Sequence, residues 1–393
     1  MRPIGGCDKV GWCEEDTNGK RMSTYQYYEF QAIDRPLTAE EQQAVAHLSS
    51  RVEPHPRQAV FVYHWSGFPG NSREILARYY DAMLYMANWG SRQLMFRFPV
   101  AALDLDEVRA YCEPLIVQDY LSLSTVGEYA LLDIAFHPED SYDWVEGEGW
   151  LPAMLSLRDD ILQGDYRMLY LSWLMVMECE DLLDSVPEPP VPPGLKKLTP
   201  ALRSFTDFFE IDEMLVQVAA EASSQRQAES QDWLQQAISR LSREECDAFL
   251  LRLAQREASL SAKLNRRLRQ VAPLPEPEGA PRRTVGQLVR ETEECHKREH
   301  QRRVAEAEAK RIRELKALAK RESETWTKIF ALIERMQAKP YAEAVGLLGK
   351  LRDLAEYQGE EAAFQRRLNG IYEQYSRRSG LLRRLSEAGL HQV

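Results

Sequence analysis

Ala59-Val-Phe-Val-Tyr-His-Trp65, the turn Ser66-Gly-Phe-Pro-Gly-Asn71 and the segment opening at Ser72 decide the fold class of the first half of this chain. The first seven residues are largely β-branched or aromatic, which suits a strand. Two glycines and a proline then close it. From Ser72 the spacing predicts a helix to about Asn88. The same alternation extends outward in both directions. Tyr25 to Ile33 reads as a strand, and Thr38-Ala-Glu-Glu41 as a capping box opening a helix through about Ser49. Leu94-Met-Phe-Arg-Phe98 predicts a strand, Asp104 to Cys112 a short helix, and Leu115 to Leu123 with Glu128 to Phe136 a strand pair. Pro152 to Leu162 and Tyr166 to Leu183 close the region as two helices. Strands interleaved with helices indicate an α+β (or α/β) domain over residues 22–185. Residues 1–21 form an extension that lacks the patterning beginning at Met22. The strand order stays open.

Beyond this domain the signals are helical. Val186-Pro-Glu-Pro-Pro-Val-Pro-Pro-Gly194 and Ala272-Pro-Leu-Pro-Glu-Pro-Glu-Gly-Ala-Pro281 cannot sustain a helix or an interior strand, and read as semi-rigid linkers over 186–194 and 272–283. Between them lies a helical domain, 195–271, with predicted helices at Ser230–Leu241 and Arg243–Val271 parted by a second capping box, Ser242-Arg-Glu-Glu245. Thr284 to Met336 reads as one long charged helix, assigned to 284–338, whose weak apolar spacing and mixed charge fit a solvent-bridging helix or a marginal coiled coil. Pro340 opens a helical tail, 339–393, with helices near Tyr341–Glu356, Glu360–Ser376 and Gly380–Ala388. The expectation is therefore an α+β (or α/β) domain followed by an all-α, partly coiled-coil C-terminal half.

A chain of 393 residues that is 44% hydrophobic and 28% charged has material for two or three cores. The longest apolar run, Met168 to Met177, is about half a membrane span. The N-terminal residues lack the apolar centre of a signal peptide, so the expected location is cytoplasmic, without membrane. Six cysteines spread over the whole length, with no CxxC, read as reduced thiols. The net charge of −11 divides into −15 over residues 1–200 and +4 over 201–393. No lysine occurs between Lys20 and Lys196, which argues against lysine-dependent phosphate or Schiff-base chemistry there.

The blocks Tyr27-Tyr-Glu-Phe-Gln-Ala-Ile-Asp-Arg-Pro-Leu37, Tyr63-His-Trp-Ser-Gly-Phe68 and Tyr85-Met-Ala-Asn-Trp-Gly90 resemble an uncharacterised bacterial protein family, a likeness that covers most of residues 22–390 and implies no mechanism. The tail, through Ala344, Val345, Leu347 and Leu348 and then Leu381, Leu382, Arg384, Leu385, Ala388 and Leu390, is similar to the C-terminal helices of bacterial SWIM-type zinc-finger proteins. The CxC and CxH of that finger are missing from the sequence, so the resemblance implies a helical docking module and nothing about zinc.

Several constellations are candidates for chemistry. His296-Lys-Arg-Glu299-His300 has the H-x-x-E-H spacing that places two metal-ligating histidines on one helix face with a base between them. It sits in a segment hydrophilic on all sides. Glu139, Asp140 and Asp143, with Glu146 and Glu148, form an acidic loop able to hold a divalent cation or paired acid-base carboxylates, whose plainer reading is a solvated loop. Gly67 and Gly70, followed by Arg73 at a helix start, form a candidate anion loop, whose plainer reading is a strand-to-helix turn. Arg298, Arg302, Arg303, Lys310, Arg311 and Arg313 are candidate nucleic-acid contacts, diluted by interspersed glutamates. Ile312, Leu315, Trp326 and Ile329 are the residues a partner helix would bury.

These observations favour a non-enzymatic assembly subunit of a bacterial intracellular complex, binding another protein or its own copy through the C-terminal helices. No cofactor is expected. The alternatives are a nucleic-acid-associated component of a DNA-processing or phage-defence system, and a metal-dependent hydrolase.

Overall fold

The computed structural model describes residues 25–392 apart from 50–51, 53, 65–66, 113–119, 138–145, 181, 226–230, 256, 258 and 273–281. Two compact units follow one another along the chain, residues 1–295 and 296–393.

The first unit is built on six antiparallel strands. In chain order these elements are β1 (Gln26–Gln31), α1 (Ala39–Ala46), β2 (Gln58–Tyr63), α2 (Ser72–Tyr79), β3 (Ala82–Ala87), β4 (Arg92–Pro99), α3 (Leu105–Cys112), β5 (Leu121–Val126) and β6 (Tyr129–Phe136). The sheet order is β2-β1-β3-β4-β6-β5. Every neighbouring pair is antiparallel, which makes the domain α+β. Alternate residues address opposite faces. Phe30, Phe61, Met83 and Met95 pack with Val45 of α1 and Ile75 and Leu76 of α2. Tyr27, Leu84, Phe96 and Leu132 turn the other way, toward a larger helical layer.

That layer contains α3, α4 (Trp150–Met154), α5 (Ser156–Leu162), α6 (Arg167–Cys179), α7 (Pro200–Phe208) and α8 (Glu213–Glu221). The apolar run from Met168 to Met177 is the central part of α6, buried at every position. Its hydrophobicity is spent on this core, and among the described residues no helix is long and apolar enough to cross a membrane. The unit continues with α9 (Gln231–Ser239), α10 (Arg243–Ala254) and α11 (Leu260–Val271). A small cluster around Trp233, Ala237 and Leu268 joins α9 to α11.

Several short sequence blocks have local explanations. The Thr38 hydroxyl accepts from the Glu41 amide, the Glu41 carboxylate accepts from the Thr38 amide, and Arg35 holds the same carboxylate at 2.6 and 2.7 Å. Asn88, at the β3–β4 turn, accepts from the Tyr25 amide through Oδ1 and donates its own amide to the Tyr25 carbonyl. Gly90 in that turn has φ +86°, a left-handed conformation that favours glycine.

The helix expected from Ser72 to about Asn88 is corrected. It stops at Tyr79, and Ala82–Ala87 is strand β3, flanked by β1 and β4. Both faces of β3 are covered, so its residues are apolar without alternation, and such a run does not distinguish strand from buried helix. The cap is Asn71, one residue before the helix begins at Ser72. The strand expected from Leu115 lies at Leu121–Val126, and residues 115–119 are outside the described set.

The boundary between the two compact units falls between Cys295 and His296, and residues 273–281 of the second proline-rich segment lie outside the described residues. Pro187 pairs with Thr284, the Glu188 amide donates to the Arg283 carbonyl, and the Val285 amide donates to the Val186 carbonyl. Leu195, Val285 and Leu288 share the main core of the first unit. The expected helix Arg243–Val271 is α10 and α11, with Ser259 left-handed at φ +55° between them. The single helix expected from Thr284 is two, α12 (Val285–Ala319) and α13 (Glu322–Glu334). No proline or glycine marks that break.

The second unit holds the later part of α12 together with α13, α14 (Ala338–Gln358), α15 (Glu361–Gln374) and α16 (Ser379–Glu387). Pro340 lies in the first turn of α14, where a missing amide costs nothing. Ile329, Ile333, Leu348, Leu368 and Leu385 form its core.

Candidate functional site

Charged groups buried in the first unit form closed networks. Arg158 of α5, 1% exposed, donates to both carboxylate oxygens of Asp34 at 3.0 and 2.8 Å and through Nε to the Arg97 carbonyl. Arg97 donates to Asp81 at 2.7 Å, and the other oxygen of Asp81 accepts from the Ile33 and Asp34 amides. Just before α12, Arg283 grips Glu188 of the first proline-rich segment through two bonds of 2.9 Å, and Tyr170 donates its hydroxyl to the same carboxylate. Burial, followed by Glu188, pushes the Tyr170 hydroxyl far above its ordinary value and keeps it a donor. Sequence reading missed these groups. Asp34 and Arg158 are 124 residues apart, and Glu188 and Arg283 are 95 apart, so no local pattern couples them.

The candidate anion loop is occupied by its own neighbours. Arg73 donates to Asp133 at 2.8 Å and to the Ser124 hydroxyl at 2.7 Å, and Gln93 donates to the other oxygen of Asp133. The Asn71 side chain accepts from the first amides of α2 at Arg73 and Glu74. Gly70 lies against Ile75 and Phe68, and Phe68 packs on Tyr28 and Phe61 at ring separations of 4.8 and 4.9 Å. Gly67 has open space around it. The geometry is that of a turn tucked under an aromatic cluster. Asp133 is raised above the usual carboxylate range by burial, against the pull of Gln93 and Arg73.

Of the acidic loop, Glu139, Asp140 and Asp143 lie outside the described residues, while Glu146 and Glu148 are exposed. His296 and His300 are exposed on α12, and Glu299 between them accepts from Arg302 and Arg303 at 3.0 Å. The Arg303 bond, above all, holds the Glu299 carboxyl below its ordinary value. A carboxylate so engaged is a poor proton acceptor. Among the described residues no group of three or more His, Cys, Asp or Glu side chains is arranged to hold a metal ion.

The four residues assigned to a partner helix are placed differently from the expectation. Leu315, Trp326 and Ile329 are buried within the second unit's own core, and Ile312 is half-buried. Trp326 packs on Phe364, is faced by Arg367 at 5.2 Å, and donates to Glu322. The apolar demand of Leu315, Trp326 and Ile329 is met within the second unit's own core. The basic series splits in two. Arg302 and Arg303 share Glu299, and Arg311 faces Glu308 at 3.6 Å, whereas Lys310 and Arg313 carry no ion pair among the described residues. Arg298 is exposed on the same helix.

The unmet apolar surface lies elsewhere. No residue of α10 is buried, and Leu250, Leu251 and Leu253 are 61, 61 and 62% exposed, with Ile238 of α9 at 48%. The unbroken apolar run Phe249-Leu-Leu251 was a legible signal for this patch, absorbed by the expectation of a helical core.

The chain matches no family model, no curated protein and no solved structure.

Proposed function

We propose that the protein is a non-catalytic assembly subunit whose α9–α10 surface docks on a second copy of the same chain. One observation carries this reading: α10 buries none of its residues while presenting three leucines to solvent. A twelve-residue helix gains little stability alone and draws it from packing an apolar face. Clustered exposed leucines are the usual mark of a protein interface. Around them Arg243, Glu244, Asp247 and Arg252 mix both signs, so two copies meet without like-charge repulsion. The charged networks of the first unit support the same reading, since their carboxylates and arginines satisfy one another and stitch distant segments together. A cytoplasmic setting suits the thiols of Cys179, Cys246 and Cys295. The membership of a bacterial intracellular complex belongs to this proposal too.

Light scattering after size exclusion tests it. The wild-type chain is expected to run as a dimer or larger at micromolar concentration, and Leu250→Asp/Leu253→Asp as a monomer with unchanged circular dichroism. A wild-type monomer at all concentrations up to about 200 μM, well above typical specific affinities, overturns the reading.

A further inference from the structure

We propose that the solvent face of α12 from Arg313 onward, together with the Lys320–Arg321 turn that follows the helix, binds the phosphodiester backbone of a nucleic acid. The inference is independent of the α10 surface. Charge is the first ground. Residues 296–393 hold 21 Lys+Arg and 14 Asp+Glu, a net of +7, while residues 1–295 hold 29 and 47, a net of −18. The acidity of the whole chain therefore belongs to the first unit, and the second is basic.

Placement is the second ground. Arg313, Lys316, Lys320 and Arg321, with Ala317, line an open hollow of about 450 Å³. Spacings of three residues put Lys310, Arg313 and Lys316 on one face of the helix, and Lys320 follows one residue past its end at Ala319. Among the described residues none of these five cations has a carboxylate partner. This separates them from Arg302, Arg303 and Arg311, whose charge is spent on Glu299 and Glu308.

The chemistry of the face selects the ligand. From Arg313 to Ala319 the helix rises about 9 Å, so with Lys320 just beyond it the series spans the axial rise of roughly three phosphates on one strand. Arginine forks take phosphate oxygens in pairs, and lysines add point charges. A protein partner would need an apolar or aromatic anchor at the centre, and the hollow offers only the Ala317 methyl. A bilayer would need an apolar helix face to insert. Here Leu315 is buried in the core of the unit and Leu318 packs against it. With no aromatic side chain in the hollow for base stacking, the contact is with the backbone and independent of sequence.

Fluorescence anisotropy of a labelled 20-base-pair duplex with the full chain tests this. Four phosphate contacts predict a slope of log affinity on log salt near −3.6, or about a 150-fold loss between 50 and 200 mM salt. Lys316→Gln/Lys320→Gln is expected to halve that slope to about −1.8, a loss of about 12-fold over the same range. Arg302→Gln/Arg303→Gln, which alters only cations already paired, is expected to leave it unchanged. No binding at 50 mM salt overturns the proposal, as does binding whose slope is the same in the 316/320 variant. Equal retention on vesicles rich in phosphatidylserine, lost in the same variant, overturns the nucleic-acid assignment in favour of a general anionic surface.

Discussion

Arg158 and Asp34 lie 124 residues apart and meet through two parallel bonds of 3.0 and 2.8 Å. The arginine comes from helix α5, and the aspartate from the segment that leaves β1. The same guanidinium donates to the Arg97 carbonyl in β4, so one side chain fastens the helical layer to two parts of the sheet. Its packing against the Phe98 ring, at 5.6 Å, holds the group in place.

Removing Arg158 leaves Asp34 without its bidentate partner beside Asp81, which is buried and paired with Arg97. Breaking a buried pair from one side costs about 3–5 kcal/mol. Arg158→Met is expected to lose that much stability in urea unfolding followed by circular dichroism. Asp34→Asn/Arg158→Met should be milder than the single change, because no orphaned charge at Asp34 is left behind. A loss below about 1 kcal/mol in the single variant would mean that the two aspartates reach water instead.

Glu41 predicts a pH dependence. Its bonds from Arg35, then from the Thr38 amide, lower its carboxyl from 4.5 to about 2. Because the folded value lies below the unfolded one, the carboxylate's contribution is complete above about pH 4.5 and is lost as pH falls toward 2. The difference in urea midpoint between wild type and Glu41→Gln should therefore be constant from pH 7 to 5 and close between pH 4.5 and 2. A difference that persists below pH 2 would place the effect in packing rather than charge.

Trp326 and Ile329 separate a core from an interface. Ile329 is fully buried among the helices of its own unit, so Ile329→Ala is expected to cost about 2–5 kcal/mol, and Trp326→Ala about 3–5 kcal/mol. Both variants should keep the wild-type solution mass. A drop in mass with undiminished thermal stability would restore the partner-helix assignment.

Much of the architecture was legible in local signals. The capping boxes at Thr38 and Ser242 mark α1 and α10, and both form with side chain and backbone reciprocally bonded. The tail forms three helices, as the apolar spacing indicates, with Pro340 in the first turn of α14. The division into an α+β region and an all-helical remainder was also legible. The misreadings share one cause, a missing local mark. Ala82–Ala87 is buried from both sides, which erases the alternation that identifies a strand, and the α12–α13 break has no proline or glycine to announce it. The candidate site was less legible still. Arg73, Arg302 and Trp326 stand out in the sequence as residues with something to bind, yet each finds its partner within the chain.

The sequence by itself determined the helix starts that carry capping boxes, the two-part composition and the uneven distribution of charge. Each is a property of residues a few positions apart, set by backbone conformation and local hydrogen bonding. Only the tertiary structure decided the strand order, the joining of the first proline-rich segment to the residues just before α12 through Glu188 and Arg283, and which cations lack an ion pair among the described residues. It also decided that the leucines of α10, rather than Leu315 and Trp326, face solvent. The physical reason is that burial and ion pairing depend on what the fold brings within a few ångströms, and residues 95 or 124 positions apart share no local pattern that records their meeting.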